Sequence, residues 1–146
     1  PRVDKSRMAP LDVLNVSVVE AMCASWQRGD VDTTLKHFSG DCHVRLEGQK
    51  VEQPSAVGLA KTKDAMNQVL DRSTVTIETR DIIALDPLVV TCQRHLIDEG
   101  GTLREAWYVG EFFVQFGHIR EWVNYEFIAP RPRQTVPAGF GTFTRV

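Results

Sequence analysis

"PLVVTCQRHLIDEGGTLREAWYVGEFFVQFGHIREWVNYEFI", residues 87–128, is the stretch that decides the fold. It holds three runs rich in Val, Ile, Thr, Trp, Tyr and Phe, broken by Glu99-Gly100-Gly101 and by Gly117, which is the pattern of antiparallel strands joined by tight turns. "TVTIETRDIIAL", 74–85, adds a fourth such run and is separated from the first of these by Asp86-Pro87. Side chains alternate across a strand. One face of this meander therefore carries Gln93 and His95, then Ala106 and Tyr108, then Trp122, Asn124 and Glu126. The other face carries Trp107, Val109, Phe113, Val123, Tyr125 and Phe127 and is also strongly apolar. Either that second face is a dimer contact or the two faces are to be exchanged, in which case Glu105 and Glu111 enter the interior and His95 leaves it.

Upstream of the meander the periodicity changes from two to that of a helix. Leu11, Leu14, Val18, Met22 and Trp26 form one helical stripe, with Pro10 suited to the first turn and Gly29 to the stop. "GDVDTTLKHF", 29–38, offers Asp30 as a cap for a short second helix anchored by Leu35 and Phe38, and "CHVRLEG", 42–48, alternates like a strand. "QPSAVGLAK", 53–61, reads as loop. "TKDAMNQVLDRS", 62–73, reads as a third helix capped by Thr62, with Ala65, Val69 and Leu70 on its apolar side. Three helices followed by a curved, mostly antiparallel sheet make an α+β domain whose helices close one sheet face, a cone with a pocket at its open end. Residues 1–10 form an N-terminal extension, 11–127 the domain, and 128–146 a tail. The prolines and glycines of that tail forbid regular helix, and it is placed to cover the pocket or a partner subunit.

The 146 residues are 42% hydrophobic and 25% charged, enough for one domain with a real core. A formal charge of −2 without a basic, aromatic-interleaved run argues against nucleic acid. Cys23, Cys42 and Cys92 are odd in number and sit in apolar segments, as buried free thiols in a reducing cytoplasm do. No apolar run reaches bilayer length, and "PRVDKSRMAP" lacks a signal-peptide core, so no membrane partner is expected. No ligand spacing suits a metal and no phosphate-cradling loop occurs, since "GFGTF", 139–143, lacks a strand-to-helix context. No metal or cofactor is therefore expected. His43, Arg45 and Glu47 belong to the solvent or packing side of their strand, and His37 and His118 lie beside turns.

"ASWQRGDVDTTLKHFSGDCHVRLEG", 24–48, resembles the NTF2-like superfamily in its SnoaL-like branch, with the helix, Gly-Asp, short helix, Phe, Asp and strand in that order. "PLVVTCQRHLID" and "GEFFVQFGHIREWVNYEF" resemble the limonene-1,2-epoxide hydrolases more closely still. The resemblance implies the cone fold and makes the His95 face the cavity side. It also exposes departures: Gln93 stands where those hydrolases have Arg, and His95 and Asn124 stand where they have two Asp. Val44 and Leu46 replace the Tyr and Asn that hold the nucleophilic water. The hydrolase set of charged groups is not retained.

What remains on the cavity side is a proton-transfer set. Imidazole, with an ordinary pKa of about 6.5, is the side chain best matched to general acid/base work near neutrality. His95 is thus the expected base, Glu126 its orienting carboxylate or second proton carrier, and Tyr108 and Asn124 the donors to a developing oxyanion. Met22, Trp26, Leu46, Gln93, Ala106, Phe112 and Trp122 are the expected substrate-binding walls, suited to a small hydrophobic aromatic or alicyclic molecule. The expected activity is that of a cofactor-independent lyase or isomerase, working by elimination, retro-aldol cleavage or proton shift. The rivals are a diverged epoxide hydrolase and a non-catalytic binding protein. A homodimer through Trp107, Val109, Phe113, Val123 and Tyr125 is expected.

Overall fold

The computed structural model describes residues 5–45 and 56–127. The elements are α1 (Pro10–Gln27), α2 (Val31–Leu35), β1 (Phe38–Arg45), β2 (Ala56–Val57), α3 (Gly58–Arg72), β3 (Thr74–Leu85), β4 (Leu88–Glu99), β5 (Thr102–Gln115) and β6 (His118–Phe127). Leu46, Glu47 and the 128–146 tail lie outside the described residues, so the expectations placed on them are not addressed by the structure. The sheet has six strands in the order β2-β1-β6-β5-β4-β3, antiparallel throughout except where β1 runs parallel to β6. It is the curved, open, α+β sheet that the helix-then-meander pattern predicts.

The β3–β6 meander forms because each turn supplies the backbone it needs. Gly100 and Gly101 both take positive φ between β4 and β5, where side chains would be strained. At the next turn Phe116 is itself at φ 52 before Gly117, and its ring is almost fully exposed. In β3 the strict alternation of the sequence breaks. A register shift between Thr79 and Asp81 lets Thr79 and Ile82 share the inner face, and it turns Ile83 and Leu85 out into solvent.

Helix α1 lies on the sheet through a stripe that differs from the one its leucines suggest. Val16, Val19, Met22 and Trp26 are buried, whereas Leu11 and Leu14 are about half exposed. Apolar residues stand all round this helix, so the pattern admitted more than one stripe. Two polar bonds help settle the rotation at its start: Asn15 Nδ2 donates to Asp86 Oδ1 (2.9 Å), and Asp86 N donates to Asp12 Oδ1 (2.7 Å), tying the first turns to the β3–β4 turn.

In α2, Asp30 caps as expected, its carboxylate accepting from Thr33 N (3.1 Å). The α3 expectation needs correction. The helix begins at Gly58, four residues before Thr62, and Thr62 is buried inside it with its hydroxyl donating to Gly58 O (2.8 Å). Gly58 has φ +83, and the segment read as loop therefore holds β2 and the first turn of α3.

The core between helices and sheet contains Val16, Val19, Met22 and Trp26 of α1, Met66 and Val69 of α3, and Val89, Phe112, Val114 and Trp122 of the sheet. Cys42 and Cys92 are buried and Cys23 is half-buried, and no disulfide joins them. Among the described residues no helix is long and apolar enough to cross a membrane.

His37, half-buried after α2, is held below the ordinary imidazole range by burial first and by His118 second. A depressed folded pKa means that the neutral ring favours the fold. That contribution is complete above the unfolded value of about 6.5 and is lost as pH falls through the lower folded value. Thermal melts of His37→Gln should therefore lose less stability between pH 7 and pH 5 than the parent, and parallel pH slopes would refute the assignment.

Candidate functional site

Register places the polar residues of the inner face in successive levels across β4, β5 and β6. Val89, Phe112 and Trp122 form an apolar level; next come Thr91, Gly110 and Asn124, then Gln93, Tyr108 and Glu126, then His95 and Ala106. Levels are about 7 Å apart along the strands and neighbours within one about 5 Å. Phe112 and Trp122 stack with centroids 5.3 Å apart, and Trp122 lies 6.2 Å from Phe38. An apolar floor thus passes directly into a polar one.

The two faces are not exchanged. His95 is 0% exposed, and Gln93, Ala106, Tyr108, Phe112 and Trp122 are buried with it, whereas Glu105 and Glu111 face solvent on the other side. There, Glu105 pairs with Arg94 (2.8 Å) and accepts from Trp107 Nε1 (2.8 Å), and Arg80 lies over the Trp107 ring. The Arg94 guanidinium first, and Trp107 second, hold the Glu105 carboxyl below its usual range. Trp107 is buried by these neighbours and by Phe127 within the single chain. Val109, Phe113 and Val123 are half-buried and Tyr125 is exposed.

At His95 the contacts hold the ring in place. Nε2 lies 3.0 Å from Gln93 Oε1, while Gln93 Nε2 donates to Thr79 Oγ1 (3.2 Å) and Cys23 Sγ (3.5 Å). The carboxamide holds the ring through Nε2 and is itself held by a hydroxyl and a thiol, each able to donate or accept, so the pair is satisfied with either ring nitrogen protonated. The ring packs on Tyr108 with centroids 4.7 Å apart. Thr79, Cys23 and Gln93 thereby orient the base from three elements.

Glu126 stands opposite Tyr108 in the register, but its side chain is exposed and lies 3.7 Å from Arg104. Gln93, rather than Glu126, faces Nε2 of His95. The expected orienting role of Glu126 is corrected accordingly: β5 stands between its strand and that of His95, and the exposed carboxylate lies by Arg104.

Asn124 is 4% exposed, and its Oδ1 accepts from Trp122 Nε1 (3.0 Å). Its Nδ2, Thr91 Oγ1 and Trp26 Nε1 are buried without a hydrogen-bond partner among the described residues. Such groups cost about 1–3 kcal/mol each when left unpaired, and a native fold keeps few of them.

Sequence reasoning missed three contributors: Thr79, Thr91 and Gly110. Thr91 was visible in "TCQRH" as the residue two before Gln93 on the same face. Thr79 was hidden by the register shift in β3. Met22 and Trp26 lie in the core rather than among the polar levels. Among the described residues no three His, Cys, Asp or Glu side chains are grouped to hold a metal.

This curved six-stranded sheet with its helices on one face is the NTF2-like fold, as the resemblance implied. Solved structures agree. An LEH-like epoxide hydrolase of M. tuberculosis superposes with a TM-score of 0.70 at 22% identity, over 81% of this chain and 86% of that one. An NTF2-like protein of unknown function from Burkholderia pseudomallei gives 0.70 at 12% identity, over 78% and 91%. A ketosteroid isomerase-like protein from Erwinia carotovora atroseptica gives 0.65 at 12% identity, over 84% and 100%. No family model and no curated protein matches the sequence. At these identities the likeness establishes the fold, and structures sharing it include those of a hydrolase and of an isomerase-like protein.

Proposed function

We propose that the protein is a cofactor-independent lyase or isomerase acting on a small hydrophobic aromatic or alicyclic substrate. The observation that carries this reading is the fully buried His95, packed on Tyr108 and oriented through Gln93 by Thr79 and Cys23. A base screened from water and held in one orientation is suited to removing a proton from carbon beside a carbonyl. In that step the proton passes to the imidazole and the C–H electron pair moves into the enolate. The Tyr108 hydroxyl donates to the oxygen that gains charge. Return of the proton at another carbon is isomerisation, and loss of a β-substituent is elimination. The likeness to an isomerase-like protein supports the class.

The test needs no known substrate. The bicyclic ketone 2-tetralone carries acidic C–H groups beside its carbonyl, and the protein in D2O is expected to accelerate deuterium entry at those positions, followed by NMR. Exchange no faster than buffer would overturn the reading.

A second reading, an epoxide hydrolase with His95 as base toward water, is favoured by the likeness to the M. tuberculosis structure. Styrene oxide in ¹⁸O-labelled water separates the two, since only hydration yields labelled diol. We further propose a homodimer through Val109, Phe113, Val123 and Tyr125. Sedimentation should show a dimer that Val109→Glu converts to monomer, and a parent that is already monomeric would exclude it.

A further inference from the structure

Part of the inner sheet face is buried without a helix over it. Val75, Ile97, Ala106 and Tyr108 form a second apolar cluster, each at most 5% exposed, with Ile77 packed against them. All of these come from β3, β4 and β5, and the fully buried His95 shares the level of Ile77 and Ala106. A single layer of strands leaves the outer ends of its side chains open to water, so burial this complete needs a second layer.

Neither long helix supplies it. α1 runs from the β3–β4 turn, where Asp86 N donates to Asp12 Oδ1, to Gln27, whose Oε1 accepts from Ile77 N. It therefore ends at the His95 level, and Val75 and Ile97 lie one level beyond. α3 packs on β1 and β2 at the opposite edge of the sheet. Among the described residues no helix side chain belongs to the cluster.

The chain continues at the right place to cover it. β6 ends at Phe127, whose partner on β5 is Trp107, so residue 128 follows beside Ala106. From β6 to β4 is two strand spacings, about 10 Å. The stretch 128–139 can span about 40 Å when extended, which brings Phe140 and Phe143 within range of the whole cluster. Charge agrees with this path. Residues 128–146 contain Arg131, Arg133 and Arg145 and no Asp or Glu. Around the cluster Asp98, Glu99 and Glu126 are exposed, with Arg104 shared between the two glutamates (3.5 and 3.7 Å). Two other segments fit less well. Residues 1–4 precede α1 at the far end of the sheet, and 46–55 follow β1, three strands from β4, with only Leu46 and Val51 as large apolar groups.

We propose that residues 128–146 fold back over the sheet of their own chain, setting Phe140 and Phe143 against Ile97, Ala106, Tyr108 and His95 as the roof of the site, with the arginines on the acidic rim. Burial, chain path and charge carry this, and it holds whether or not His95 is the base. Phe140 and Phe143 are then specificity-determining walls. A ligand reaches His95 only when the tail is displaced, and its outer edge meets two aromatic rings.

Photocrosslinking in the full chain tests the docking directly. With p-benzoylphenylalanine in place of Phe140, irradiation is expected to join the tail to peptides of β4 and β5 that contain Ile97 or Ala106. In an equal mixture of ¹⁵N-labelled and unlabelled chains, each crosslinked pair should carry one isotope only. No crosslink to these strands, crosslinks to another part of the molecule, or pairs of mixed isotope, which would place the tail on a partner subunit, would each overturn the proposal. Accessibility gives a second reading. Phe140→Asp combined with Phe143→Asp is expected to speed modification of His95 by diethyl pyrocarbonate by about tenfold or more, because exposure of a covered group follows local opening. His37, half-buried at the opposite end of the sheet, should react at the parent's rate. Unchanged reactivity at His95, or a rise equalled at His37, would count against the roof.

Discussion

Replacing His95 by Gln is expected to slow deuterium entry into 2-tetralone by about a hundredfold or more, the usual worth of a positioned general base. Gln is chosen because His95 is fully buried and its Nε2 meets Gln93 Oε1 at 3.0 Å. A carboxamide at position 95 can still donate to that oxygen, so the fold keeps its polar contact and only the basic nitrogen is lost. His95→Ala would mix chemistry with a cavity. Thermal melting of His95→Gln close to that of the parent, together with the rate loss, assigns the effect to proton transfer. A rate within a few-fold of the parent would end the general-base assignment, because among the described residues no other imidazole packs on Tyr108. In that event the non-catalytic binding protein becomes the better account.

Trp122→Ala is expected to destabilise the fold by about 3–5 kcal/mol, read by urea unfolding with unchanged m-value. The ring is 1% exposed, stacked on Phe112 and near Phe38, so truncation removes a large apolar group where three strands meet. It also strips Asn124 Oδ1 of its donor, adding an unsatisfied buried oxygen to the cavity. Against a typical total of about 5–15 kcal/mol that is a large share. Trp122→Phe keeps much of the packing and loses the N–H, so its smaller cost separates the two contributions. A loss under about 1 kcal/mol for the Ala variant would mean that the stacked level is not the centre of the core.

The strands of the meander were legible because their breakers and alternation are local: β3 runs over the predicted residues 74–85, and β4 to β6 follow the runs around Glu99-Gly100-Gly101 and Gly117. The start of α3 was not. Gly58 reads as a helix breaker, yet it sits at a positive φ that opens the helix only because β2 delivers the chain there.

At the site, alternation put Gln93 and His95 on one face of β4, and the tight turns at Gly100-Gly101 and Gly117 carried that face on to Tyr108 and Asn124. Period two is a property of the strand itself, and no neighbour is needed to impose it. Alternation left open which face turned inward, since Trp107 and Phe113 are as apolar as Tyr108 and Phe112, and only the resemblance pointed to the His95 face. The choice was made by where α1 and α3 pack. The partner of His95 was equally a tertiary matter. Glu126 shares its face and carries the more suggestive chemistry, but β5 separates the two strands, and Gln93 on the same strand is within 3.0 Å. Thr79 reaches Gln93 only through the register shift in β3, and Thr91 Oγ1 and Asn124 Oδ1 occupy the space that a side chain on residue 110 would need. Residue type and spacing along one strand thus determined which groups share a surface. Pairing across strands and the packing of the helices decided which of them touch, because distance between strands is set by hydrogen-bond register and not by position in the chain.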